Sequence, residues 1–226
     1  MKVLINYHKI IPALLVLILA VLPHITFGAE NYQAGDQLYV GSIAGLNVRN
    51  QPDIKAPILA SLSYNTQVTI VADSFPSESF LVGVTDFNGG KINLSGKWVK
   101  VRSGKISGYV FDGMLTKFKG LSLKNRDEKS YFIALFGKPI LKIIKKNVIV
   151  KGQKIPYEKE IKTYPRGLIE ELTFFDSCYD FIYTYSVSFN EAYWLIQRML
   201  WDADAAQEIK IKKINGKTVL SFYSCS

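Results

Sequence analysis

Gly45-Leu46-Asn47-Val48-Arg49, running into Gln51-Pro52, decides how the N-terminal half is read. Apolar and polar residues alternate, so a two-residue period turns Leu46 and Val48 inward and Asn47 and Arg49 outward. Pro52 has no N–H for a strand ladder, and the strand must end before it. The same alternation appears at Gln37-Leu38-Tyr39-Val40, Gln67 to Val71, Trp98-Val99-Lys100-Val101 and Gly108-Tyr109-Val110-Phe111. Asn50 to Asp53, Tyr64-Asn65, Asn88-Gly89-Gly90 and Ser103-Gly104 supply turns between these runs. Five short strands over residues 36–118 predict an all-β small barrel, because closing a sheet removes its adhesive edges. Residues 74–95 break the rhythm and are expected to form a long loop or an inserted hairpin.

In this order the segments resemble the bacterial SH3-like domains. Gly45 to Arg49 with Gln51-Pro52 is similar to their opening strand and turn, followed by Ile58 to Leu62, Tyr64-Asn65 and Gln67 to Ile70. Gly96 to Val101 and Gly108 to Leu115 close the pattern. The resemblance implies an SH3-like barrel that takes a cell-wall peptide or protein segment in an aromatic-lined groove. It makes Tyr39, Asn47, Tyr64, Trp98 and Tyr109 the candidate ligand contacts. The residues by themselves also allow Trp98 as plain core, Arg49 as a donor that organises its turn, and Asp112 as a cap on the closing turn. The 74–95 segment departs from the family pattern, which has a few turn residues there.

Before the barrel, Lys2 and Lys9 precede a 13-residue apolar run, Ile10 to Leu22, with a small-residue exit at Thr26-Phe27-Gly28-Ala29. This is the composition of a secretory signal peptide, residues 1–28, and the run is short of the roughly 20 residues a membrane helix needs. The expected product is exported, periplasmic or extracellular, with no stable membrane anchor after cleavage. His8 and His24 are the only histidines of the 226-residue chain, and both leave with the leader. The mature chain then cannot build a Ser-His-Asp triad, a Cys-His peptidase centre or a His-ligated zinc site. It retains 26 Lys+Arg against 19 Asp+Glu, or +7. That balance fits either anionic envelope surfaces or a well-mixed solvated surface; no nucleic-acid module is recognisable, so nucleic acid is not an expected partner.

From residue 119 the texture changes. Asn125-Arg126-Asp127-Glu128 reads as a capping box opening a helix to Phe136, stopped by Gly137 and Pro139. The ending Leu135-Phe136-Gly137-Lys138-Pro139 is similar to helix-to-strand joints in small envelope proteins related to β-lactamase-inhibitor-like domains. Strands are expected at Ile140 to Val150, Lys154 to Thr163, Ile169 to Phe175 and Phe181 to Val187. Ser188-Phe189-Asn190-Glu191 opens a second helix with one apolar stripe, Ala192, Leu195, Ile196 and Met199. Asn215-Gly216 marks a type I′ turn between Ile209 to Ile214 and Thr218 to Tyr223. Residues 119–226 should therefore form an α+β domain, an antiparallel sheet with two helices on one face.

Cys178 and Cys225 are the only thiols, and in an exported chain they read first as a disulfide tying the 176–180 turn to the last strand; free buried thiols are the alternative. Glu170-Glu171 and Asp202-Ala203-Asp204 are adjacent or alternating carboxylates with no visible partner across a cleft. No phosphate-cradling loop, cofactor or metal site is expected. Lys142, Lys145, Lys146, Lys151 and Lys154 either guard an edge strand or attract an anionic polymer. The chain is thus expected to be a non-catalytic envelope protein whose barrel binds a cell-wall polymer or an envelope protein. The alternatives are an inhibitor or assembly factor presenting Phe181, Tyr183 and Tyr185 from its sheet, and a cell-wall hydrolase deprived of the usual histidine machinery.

Overall fold

The computed structural model describes residues 32–71, 78–85, 89–122, 127–200 and 206–225. The leader with His8 and His24, Asn125, and the Asp202-Ala203-Asp204 turn lie outside the described residues.

Strands β1 (Gln37–Val40), β2 (Leu46–Arg49), β3 (Ile58–Leu62), β4 (Gln67–Ile70), β7 (Trp98–Ser103), β8 (Ile106–Phe111) and β9 (Leu115–Thr116) form one sheet, ordered β3-β2-β8-β7-β4-β1-β9. Two strands, β3 and β9, join the five that alternation marks. The sheet wraps the buried side chains of Leu38, Val40, Leu46, Val48, Val68, Val99, Val101 and Val110, each on the inward phase of its strand. Segment 74–95 contributes a separate hairpin, β5 (Phe80–Thr85) with β6 (Lys91–Gly96), in register from Phe80 opposite Gly96 to Thr85 opposite Lys91.

The second half is a six-stranded antiparallel sheet built from β10 (Ile140–Val150), β11 (Gln153–Tyr164), β12 (Leu168–Phe175), β13 (Cys178–Tyr185), β14 (Gln207–Ile214) and β15 (Lys217–Cys225). Its order is β10-β11-β12-β13-β15-β14, with helices α1 (Glu128–Phe136) and α2 (Phe189–Met199). Phe132 and Phe136 of α1 and the α2 stripe pack with Leu168, Tyr185 and Leu220, which share one sheet face. Asn215 and Gly216 both have positive φ, 49° and 76°, as a type I′ hairpin demands.

Three local expectations need correction. Helix α1 starts two residues late: its cap is Asp127, whose side chain accepts from Ser130 N at 2.9 Å. Cys178 lies in β13 and not in a turn, because Asp176 and Ser177 take positive φ and complete the reversal before it. The disulfide with Cys225 forms, and it joins residues directly opposite each other on β13 and β15. Third, α2 is buried on two sides where one stripe was expected. Ala192, Leu195, Ile196 and Met199 meet the sheet, while Tyr193 and Trp194 are equally buried in a cluster with Leu94, Trp98 and Phe111 of the barrel half.

Polar contacts lock that second face. Ser188 caps α2 by accepting from Glu191 N at 3.3 Å. Glu191 itself is buried and takes Lys117 N at 2.8 Å and the Thr116 hydroxyl on its carboxylate. Trp194 Nε1 donates to Gly113 O at 2.9 Å, and Arg198 Nη2 donates to Ser122 O at 3.1 Å. The indole lies so close to β1's end that a Cβ on Gly41 would stand 2.6 Å from Trp194 Cγ. The inserted hairpin is held by the same helix: Asn190 Nδ2 donates to Ser95 O at 2.7 Å and the Tyr193 hydroxyl to Thr85 O at 3.3 Å.

Candidate functional site

A groove of about 840 Å³ opens between the β2–β3 loop and the inserted hairpin. Its floor is aromatic. Phe80 lies 6.0 Å from Trp98 and 4.9 Å from Phe111, ring centre to ring centre, and Met114 and Leu46 extend the apolar surface. Ile54 on one rim and Leu81 on the other are 65% and 64% exposed, so apolar side chains stand at the mouth as well as the base. Asn47, Arg49, Asp53 and Glu78 add a few polar groups to the lining. Mostly apolar walls with sparse polar groups are how proteins hold a ligand by shape while fixing its orientation.

The walls are tied together by hydrogen bonds of their own residues. Arg49 Nη1 donates to Ala56 O at 2.6 Å and so organises the β2–β3 loop, while Asp53 accepts from Lys55 N at 2.8 Å. Asp112 was expected to cap its own turn. Instead its carboxylate reaches back to Lys97 N at 2.7 Å and to the Tyr32 hydroxyl, pinning the β6–β7 corner against the end of β8.

Of the five candidate contacts, the structure brings Asn47 and Trp98 together in the groove. Trp98 is nearly buried, so it offers the floor and also belongs to the core. Tyr109 is half-buried on β8 opposite Arg49, with Lys100 Nζ 6.0 Å from its ring centre, and does not line the groove. Tyr39 sits on β1 between Gln67 and Thr116, away from it. Tyr64 lies beneath α2, where its hydroxyl donates to Leu121 O at 3.3 Å beside Tyr131 and Arg198. Sequence reasoning missed Phe80, Leu81, Ile54, Phe111 and Met114. The signal available in the sequence is the run Phe80-Leu81-Val82, inside the segment expected to form a long loop or an inserted hairpin.

The Glu170-Glu171 pair is occupied structurally. Glu170 accepts from the Tyr164 hydroxyl at 2.8 Å and from Lys162 Nζ at 3.2 Å, whereas Glu171, its neighbour on the opposite face, pairs with Lys159. Among the described residues no three His, Cys, Asp or Glu side chains converge as a metal site would require.

Burial pushes the phenols of Tyr64, Tyr131, Tyr183 and Tyr185 upward, with Arg198 opposing the shift at Tyr64. The neutral phenol is the form the fold prefers. Its stabilisation is complete below the ordinary value of 10.0 and is lost as pH rises through the folded values. Alkaline titration should therefore show a late phase of tyrosinate absorbance, from these four phenols, that coincides with loss of far-ultraviolet ellipticity. Ionisation of all tyrosines near pH 10, ahead of any unfolding, would contradict this burial.

Residues 44–116 match the family of the bacterial SH3 domain. The match begins after β1, which the structure adds by pairing it with both β4 and β9. No significant match was found among curated proteins or among solved structures.

Proposed function

With residues 44–116 established as a bacterial SH3 domain, we propose that the protein is a non-catalytic, exported cell-envelope protein whose groove holds a cell-wall peptide or a segment of an envelope protein. The groove floored by Phe80, Trp98 and Phe111 carries this reading. The composition of residues 1–28 and the Cys178–Cys225 disulfide support export, since such bonds persist in oxidising compartments. No helix among the described residues is long and apolar enough to cross a membrane.

The test is retention on purified, insoluble peptidoglycan at low and near-physiological salt, with Leu81→Asp beside the unaltered protein. Leu81 is exposed, so the substitution spares the fold while placing a charge at the groove mouth. Retention should resist salt and fall about tenfold in the variant, the equivalent of one lost apolar contact. Equal retention of both proteins would remove the groove from the account, and no retention in either salt would remove the cell wall. Retention that vanishes with salt would credit the lysine-rich strands.

One observation favours a second reading, in which the α+β sheet carries an inhibitory or assembly contact. Tyr185 is buried beneath α1, but the aromatic ladder continues beyond the helices. Phe181 stacks on Phe222 at 4.7 Å and Tyr179 at the ladder's end is exposed.

A further inference from the structure

The two edges of the C-terminal sheet differ. Edge strand β14 is interrupted: its pairing with β15 shifts between Gln207 and Lys210, and Glu208 takes a φ of +49°. That is an ordinary way to spoil an edge against further pairing. Edge strand β10 has no bulge, and its guard is charge, Lys142, Lys145 and Lys146, which repels a second copy of itself and not an acidic strand. It pairs with β11 without a register shift from Ile140 opposite Thr163 to Val150 opposite Gln153 and contains no proline. Ile140, Ile149, Leu141 and Ile143 are 77%, 73%, 52% and 47% exposed along it. A long, regular edge with bare apolar side chains is the kind of surface that accepts another strand.

Charge identifies the strand it accepts. Within the sheet, lysines are met across the ladder by glutamates: Lys145 by Glu158 at 2.8 Å, Lys162 by Glu170 at 3.2 Å, and Lys159 by Glu171. On β10, Lys142 and Lys146 share one face and meet no carboxylate across the ladder: Ile161 lies opposite Lys142, and Lys146 Nζ stands 4.8 Å from the ring centre of Tyr157. Strand β10 carries three lysines and no acid, so pairing with a second copy would bring six lysines together. Leu141 and Ile143 lie on the other face, the one α1 and α2 cover further along.

We propose that β10 receives, as a seventh strand, an extended and mainly apolar segment of a partner protein that carries acidic side chains four residues apart on one face. The acids would face Lys142 and Lys146, and the apolar side chains would cover Ile140 and Ile144 between them and Leu141 and Ile143 on the other face. Backbone pairing along the edge supplies affinity and the two faces supply specificity. The barrel groove takes no part.

A synthetic eleven-residue valine–threonine peptide with two glutamates four residues apart (the valine–glutamate peptide) is the probe, and the same peptide with lysines in their place (the valine–lysine peptide) is its counterpart. Both are added to the full protein and followed by fluorescence anisotropy and by hydrogen exchange. The valine–glutamate peptide should bind and slow exchange within residues 140–150, and the valine–lysine peptide should do neither. The double variant Lys142→Glu/Lys146→Glu should weaken binding on the order of tenfold, as two reversed cross-strand pairs imply. Lys210→Glu/Lys212→Glu on the other edge, and Leu81→Asp in the groove, should leave binding unchanged. The proposal is overturned if neither peptide binds, if both bind alike, or if the slowed amides lie in β14 or the barrel. It is equally overturned if exchange in β10 slows with protein concentration alone, which would make a second copy the occupant.

Discussion

Replacing Trp194 with alanine is expected to lower the unfolding free energy by about 3–5 kcal/mol, the usual cost of truncating a buried aromatic. The indole fills the junction between the two halves, touching the cluster of Leu94, Trp98, Phe111 and Tyr193 and donating to Gly113 O. Its removal leaves a cavity and an unmet carbonyl together, and relaxation can close neither without moving β1 or α2. The loss should also change the shape of the transition. With the wedge gone, the junction keeps Tyr193 and the polar contacts of Asn190, Glu191 and Arg198, without the indole that fills it. One cooperative melt should then become two. Urea unfolding followed separately by tryptophan fluorescence and by ellipticity would check this, and coincident transitions shifted by less than about 1 kcal/mol would contradict it.

Removing the disulfide should have an effect of similar size by a different route. Cys178 and Cys225 are 47 positions apart, and in the chain-entropy account closing such a loop restricts the unfolded chain by about 4 kcal/mol. Cys178→Ser/Cys225→Ser should lose most of that. Amide exchange should accelerate first at the far end of β13 and β15, where Tyr179 and Ser224 face each other, and last near Tyr185 and Thr218 under the helices. A uniform acceleration would instead mean that the bond supports the whole sheet. Because Trp194 and the disulfide share no partner, the two losses should add in the combined variant.

Much of this architecture is legible in the sequence. The two-residue alternation of Leu46 and Val48 with Asn47 and Arg49 is reproduced by their burial, and Pro52 lies past the end of β2. The order α-β-β-β-β-α-β-β is observed with strand ends shifted by at most three residues. Periodicity succeeds in these places because it reports which way a side chain points. It is silent about what comes to cover that side. Tyr193 and Trp194 fall off the Ala192-Leu195-Ile196-Met199 stripe, so no local rule assigns them a partner, yet the barrel half buries both. The groove was harder still. Its walls come from the β2–β3 loop, the inserted hairpin and the ends of β7 and β8, segments that only tertiary folding brings together. For the same reason alternation could not distinguish Trp98, which reaches the groove, from Tyr39, Tyr64 and Tyr109, which do not.

The double-sided burial of α2 also sets an order of events. A chain is synthesised from its N-terminus, and the barrel strands are complete by Thr116. Trp98 and Phe111, however, must wait for a helix whose Trp194 lies 81 residues beyond the Gly113 it bonds. Throughout that interval the side of Trp98 and Phe111 that Tyr193 and Trp194 come to cover stays bare. Competence to hold anything in the groove is thus a late acquisition, reached only when almost the whole chain has arrived. The half that carries the family's signature depends for its completion on the half that does not.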